Sequence, residues 1–381
     1  VHAAWLWAAE HHQLDYVQHA LESLFIYSII GSRSVEGVDI LNKARMALEM
    51  EEPTGQHALV LARLSARQAA LVYADSSQKI LAERSLAILE RIDERLETAQ
   101  ALTALGWAYR FEGDYGQSEH YLREATTIAR ESGDHWWFAI CLTTLGWIVG
   151  VSLNDPESAQ LILEEALGVV EQSGNSATKV TVLSNLGVIA GRLGKIGEDI
   201  RYTEKALALA RQLNLHDRVV NSLNNLGWTV YVRGEHERAY RYLSECLELA
   251  EQLGWPDNPF HLLSMAYTVY ALGRVEDATH YFRRIFVSIN KNWVFECATD
   301  TVVGIAIILS DEGQHQRAVA LLGSALALNE ELVTAREGEA ALERSKNALD
   351  SDTFQAAWER GQSLDLKAVV QELLVEFGVE D

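Results

Sequence analysis

Histidine, cysteine and carboxylate are the side chains that most often carry chemistry, and in this chain their spacing carries none. Of 12 histidines, His2, His11, His12 and His19 crowd the N-terminus, without a HExxH pair or a Cys/His ligand spacing. Three cysteines, Cys141, Cys246 and Cys297, are far apart and form no CxxC pair. Adjacent acids such as Glu164-Glu165 read as solvated helix faces, not as an acid/base dyad. The nearest string to a phosphate-cradling loop is Gly191-Arg192-Leu193-Gly194-Lys195-Ile196, whose spacing is wrong and which lacks the closing Ser or Thr. It reads as a turn. No GxSxG motif occurs. The expectation is a chain with no catalytic residues, no metal site and no cofactor.

The remaining candidates are aromatic and amide side chains, and an internal repeat places them. Leu105-Gly106-Trp107, Leu145-Gly146-Trp147, Leu186-Gly187-Val188 and Leu226-Gly227-Trp228 set glycines 40, 41 and 40 residues apart. Met265-Ala266-Tyr267 and Ile305-Ala306-Ile307 continue the phase after steps of 39 and 40. A second series in phase runs Ala125, Ala166, Ala206, Cys246, Ile285, Ala325, and back to Ser85 and to Ala44 or Arg45. Turn glycines recur at Gly113, Gly194, Gly234, Gly273 and Gly313.

Each period predicts two helices. Leu102, Leu105, Gly106 and Tyr109 form an amphipathic stripe, Gly113-Asp114 breaks it, and Ser118, Leu122 and Ala125 mark the stripe of the second helix. Glycine in a helix costs about 1 kcal/mol relative to alanine, so close helix contact must offset it. The extra residue of the 41-residue step is expected in the turn Ser152–Pro156. Residues 2–50 are expected to form an N-terminal pair around Gly31, with Trp5 and Trp7 on its first helix, and residues 54–92 one more.

Composition agrees. Only 4 residues are proline and 48% are hydrophobic, which suits long helices around a large core. With 54 acids against 32 bases the net charge is −22, which repels nucleic acid and anionic lipid. No stretch of about 18 uncharged apolar residues stands out, so no membrane span is expected. The unpaired cysteines suit a reducing, cytoplasmic compartment. The sequence opens Val-His-Ala-Ala-Trp, without an initiator Met or a signal peptide, and is expected to begin inside a larger protein.

The small–small–alanine spacing with its turn glycine resembles tetratricopeptide repeats, in a variant of about 40 residues similar to that of bacterial signalling proteins and kinesin light chains. HEAT repeats share the period but not the pattern. The C-terminal Ala320-Leu321-Leu322-Gly323-Ser324-Ala325, an acidic–basic helix, and Phe354–Leu364 resemble the end of bacterial STAND signal-transduction ATPases and of LuxR- or AfsR-type regulators. The resemblance implies an all-α, tetratricopeptide-like α-solenoid of about eight antiparallel helix pairs over 1–333, with a C-terminal helical cap over 334–381. It also implies an NTPase module upstream in the same chain.

In such repeats the first helix of each unit lines the concave face. The residue after each repeat glycine points about 100° away from the packed stripe. Trp107, Trp147, Trp228 and Tyr267 share this register, with Arg110, Asn185, Arg192, Asn221, Asn224, Asn225, Tyr231 and Tyr270 as neighbours. Two readings stand: an aromatic ladder with peptide-gripping amides, or aromatic filling between adjacent first helices. Arg110 and Arg192 hint at an acidic ligand. The expected function is a non-catalytic sensor that binds a peptide or protein partner in this groove and regulates the upstream NTPase. The alternative is a peptide-pheromone receptor or an assembly scaffold.

Overall fold

The structure, a computed structural model, describes residues 2–30, 34–49, 53–72, 76–92, 94–291, 295–326 and 334–376. Among them are twenty α-helices and one π-turn, and no strand. Helix α1 (His2–Glu10) precedes a first pair, α2 (Leu14–Ile30) and α3 (Ser34–Ala47). Three pairs follow: α4 (Gly55–Leu71) with α5 (Ser76–Leu89), α6 (Arg95–Phe111) with α7 (Tyr115–Ser132), and α8 (His135–Trp147) with α9 (Pro156–Ser173). Next come α10 (Ser176–Arg192) with α11 (Ile196–Gln212) and α12 (His216–Val232) with α13 (His236–Gln252). The series closes with α14 (Pro259–Ala271) and α15 (Val275–Lys291), then α16 (Phe295–Asp311) and α17 (His315–Leu326). Three helices remain: α18 (Ala335–Ala348), α19 (Ser351–Gln362) and α20 (Leu366–Glu376). The chain divides into two compact units, Val1–Ser222 and Leu223–Asp381.

The repeat signals have direct physical causes. A Cβ on Gly106 would lie 2.6 Å from Leu122 Cγ, on Gly146 2.7 Å from Leu163 Cγ, and on Gly227 2.5 Å from Leu243 Cγ. At Gly187 it would meet Thr203 Oγ1 at 2.3 Å. The glycine therefore lets the second helix of each pair press a side chain onto the first, which offsets its poor helix propensity. Every described member of the second series, from Ala44 and Ser85 to Ala325, is fully buried. Gly194 turns the chain between α10 and α11 at φ +71°, inside the string Gly191–Ile196, which is a turn. In the copy without a turn glycine, Asn154 takes the left-handed conformation at φ 52°. Asp114, Asp134, Asp155 and Asn175 start the following helices by accepting the backbone N–H three residues on, at 2.9–3.1 Å.

Three expectations need correction. The extra residue of the 41-residue step is absorbed before the expected turn, in a π-turn at Ile148–Ser152, where Leu153 N–H reaches back to Ile148 O. Trp5 and Trp7 belong to the separate helix α1, because the chain turns at His12 (φ 52°). Trp5 is buried there and donates Nε1–H to Val17 O at 3.0 Å, whereas Trp7 is exposed and stacks on His11. His135–Ser152 is long and apolar enough by composition to cross a membrane, yet 67% of it is buried inside the protein as α8 and the π-turn. The expected turn at Gly31 and boundary at 333 lie outside the described residues.

The C-terminal helices depart from the pair pattern. Helix α19 lies against α17 backbone to backbone: a Cβ on Gly361 would fall 2.2 Å from Ala320 O, and one on Gly323 2.9 Å from Trp358 O. Both glycines belong to the C-terminal sequence motif, so the motif encodes this contact. Helix α18 packs against both α16 and α17. Asp300 Oδ1 accepts from Thr334 Oγ1 at 2.6 Å, Ser310 Oγ meets Ser345 Oγ at 2.9 Å, and Arg344 pairs with Asp311 at 2.9 Å.

Candidate functional site

In the unit Val1–Ser222 the expected register is partly open. Trp107 on α6 and Trp147 on α8 are half-buried against the core. Trp107 stacks on Phe111 with ring centroids 6.1 Å apart, and the Arg110 guanidinium lies 5.7 Å from the Trp107 ring and 5.3 Å from that of Phe111. Arg110 Nε is buried without a hydrogen-bond partner. Asn185 Nδ2 donates to Thr143 O at 3.4 Å, tying α10 to α8. Arg192 Nη2 donates to Asn154 Oδ1 at 2.6 Å, and Asn221 is exposed.

In the unit Leu223–Asp381 the register is buried at Tyr267 and Ile307, while Trp228 is half-buried. Tyr267 is 1% exposed, donates its hydroxyl to Asp300 O at 2.7 Å, and packs edge-on against Phe282. Trp228 sits 6.2 Å from it at 90°, and 5.0 Å from Tyr231. Tyr231 is 6% exposed and its hydroxyl points to Glu337 Oε1 of α18 at 3.4 Å. Burial, then the Glu337 carboxylate, pushes the Tyr231 hydroxyl above its ordinary value, so it stays protonated. Tyr270 donates to Asp311, with its own titration raised by burial and then by that bond. Asn224 Oδ1 is buried without a partner, and Asn225 O accepts from Thr229. Tyr231 and Tyr267, expected to face a ligand, are core residues instead, because the first turn of α18 and the Asp300 segment cover them.

Sequence reasoning missed a second constellation. A cavity of about 340 Å³ opens among α2, α4, α6 and α8. Arg67, almost fully buried, is held by Glu97, equally buried, and donates Nη2–H to Glu22 Oε2 at 2.9 Å. Arg63 Nε donates to the other Glu97 oxygen at 2.6 Å. Gln100 lines the same space, with Trp136 and Trp137 as its aromatic wall. A signal did exist: Arg67 stands 40 residues before Trp107, in the same register, and Glu97 stands 40 before Trp137.

All three cysteines are buried and free. Burial pushes Cys141 up to about 11 and Cys246 up to about 12. Among the described residues no group of three or more His, Cys, Asp or Glu is arranged to hold a metal.

Glycine-spaced helix pairs with buried small residues in phase define a tetratricopeptide-like α-solenoid fold. The family profile described as Tetratricopeptide repeat matches residues 79–131 and 178–252. No curated protein matches the chain. Several solved structures share its fold. A Rap protein complexed with Competence and Sporulation Factor is 15% identical, over 97% of this chain and 97% of that one, with a TM-score of 0.56. The Rap conjugation gene regulator of the plasmid pLS20, in complex with the Phr* peptide, is 14% identical over 94% and 98%, with a TM-score of 0.55. The apo quorum sensor NprR from B. thuringiensis is 13% identical over 94% and 99%, with a TM-score of 0.54. At these identities the likeness is one of fold.

Proposed function

We propose that this chain is a non-catalytic scaffold that binds a peptide or protein, and that its binding face lies in the unit Val1–Ser222, on Trp107, Arg110, Trp147, Asn185, Arg192 and Asn221. One observation carries the reading: these aromatics are only half-buried and have an unsatisfied arginine nitrogen among them, whereas Tyr231 and Tyr267 of the other unit are sealed in its core. Half-exposed tryptophan beside arginine is the composition of binding hot spots. Two fold relatives are complexes with a signalling factor or peptide, which supports a peptide as ligand. Tyr231 and Tyr267 then serve as core, Tyr231 under α18, while Asn224, Asn225, Trp228 and Tyr270 stay half-buried.

In the finer reading the chain is the cytoplasmic sensor module of a bacterial STAND-type NTPase. The C-terminal motif built on Gly323 and Gly361 supports it. The peptide-receptor reading is favoured by relatives aligned over nearly their whole length. The gene upstream of Val1 separates the two: a P-loop supports the sensor, its absence the receptor.

The binding face is tested by selecting peptides from a random phage-displayed library and measuring affinity by fluorescence polarisation. Trp147→Ala is expected to weaken a selected peptide by roughly 30-fold, about 2 kcal/mol, with helical circular dichroism retained. Selected peptides that bind Trp147→Ala and Trp107→Ala as tightly as the parent protein refute the assignment.

A further inference from the structure

The cavity among α2, α4, α6 and α8 has unmet hydrogen-bond acceptors. Gln100 is 5% exposed, lines the cavity, and its amide oxygen has no partner. A buried amide left so costs about 1–3 kcal/mol, a cost that the fold retains at this point. Glu22 spends Oε2 on Arg67 while its Oε1 is buried and unpartnered. Two arginines line the cavity, both held by Glu97, and Arg67 by Glu22 as well. Against them stand three carboxylates, because Asp134 adds a third, with one oxygen capping α8. The lining therefore carries a formal charge of −1, inside a protein of net charge −22. Its aromatic wall is the indole pair Trp136 and Trp137, with centroids 5.2 Å apart.

Orphan acceptor oxygens, a surplus negative charge and indole faces together specify a donor-bearing cation. We propose that this cavity binds a protonated amine or guanidinium group. The charged nitrogen donates to the Gln100 amide oxygen and to Glu22 Oε1, and its alkyl stem lies on the indoles. Cation–π attraction strengthens as such a site excludes water. The volume fits a small ligand or one side chain of a longer one. The cavity uses residues outside the proposed peptide face, and its test needs no ligand of that face.

Isothermal titration of the purified chain with agmatine supplies the small-molecule arm. The capped tripeptide acetyl-Gly-Arg-Gly-amide supplies the side-chain arm, with acetyl-Gly-Gln-Gly-amide and acetate as controls. Saturable binding of agmatine alone assigns a free cation, and binding of the arginine peptide assigns the side chain of a partner; either supports the site. Gln100→Leu and Glu22→Gln are each expected to weaken the binding probe about tenfold, with the melting temperature held or raised for Gln100→Leu. Glu22→Gln keeps shape and removes charge at a part-exposed position, so it remains informative should Gln100→Leu repack the core. Silence from both cations up to roughly 10 mM overturns the proposal. Equal affinity in both variants, or preferential binding of acetate through Arg63, does the same.

Discussion

The two units use one repeat register in opposite ways. In Val1–Ser222 it reads Arg67, Trp107, Trp147, Val188, and its side chains border a cavity or lie half-exposed. In Leu223–Asp381 it reads Trp228, Tyr267, Ile307: Tyr267 and Ile307 are buried, Tyr267 packs on Phe282, and half-buried Trp228 packs on Tyr267 and on Tyr231, which Glu337 of α18 reaches. The same residue types at the same phase thus serve as surface or as core, according to what the chain supplies to cover them. Position in a repeat fixes where a side chain points, while its exposure depends on a neighbour that the period does not predict.

Truncation should separate the two most sharply. Tyr267→Ala removes a fully buried ring and its hydrogen bond to Asp300 O, and is expected to destabilise by about 3–5 kcal/mol. Trp107→Ala, at a half-buried site, should cost about 1–2 kcal/mol. Urea unfolding followed by circular dichroism reads both. Equal losses would erase the distinction between the faces.

Acid is expected to act next, through His261 on α14. Burial holds this ring's pKa down at about 4, below its ordinary 6.5. Between those values the unfolded chain takes up a proton that the folded chain refuses. Stability is therefore intact above pH 6.5 and falls as pH drops toward 4, by up to about 3 kcal/mol. His261→Gln should flatten that part of the pH profile of thermal unfolding. An unchanged profile would show that acid acts elsewhere.

The smallest effect belongs to the exposed ties of α18. Asp311→Asn weakens its pair with Arg344 and its contact with Tyr270, and is expected to change stability by no more than about 0.5 kcal/mol. A loss of several kcal/mol in calorimetry would mean that surface charges, and not the buried Tyr231–Tyr267 cluster, hold α18 in place.

The helix pairs were legible because each repeat signal has a local cause that recurs. Gly106, Gly146, Gly187 and Gly227 are small where Leu122, Leu163, Thr203 and Leu243 press in. The Arg67–Glu97–Glu22 network was not legible, because it joins residues 30 and 45 positions apart that meet only once helices stack. Its trace, an arginine in the tryptophan register, becomes visible only when the phase is extended back to Arg67. The seat of α18 was equally hidden: its sequence says that it is helical and charged, but not that Glu337 reaches Tyr231.

The π-turn at Ile148–Ser152 bears on how such an array changes over time. Gly150 within it lies so close to the next pair that a Cβ would be 2.3 Å from Ile189 Cδ1, yet Gly187 and Gly227 resume the 40-residue step. One added residue has been confined to a single coil. Because each pair is positioned chiefly by its immediate neighbours, an insertion here behaves like a misprint corrected before the next line. Lengthening or shortening the array by whole pairs, or slipping it by one residue, is therefore possible without redrawing the remaining repeats.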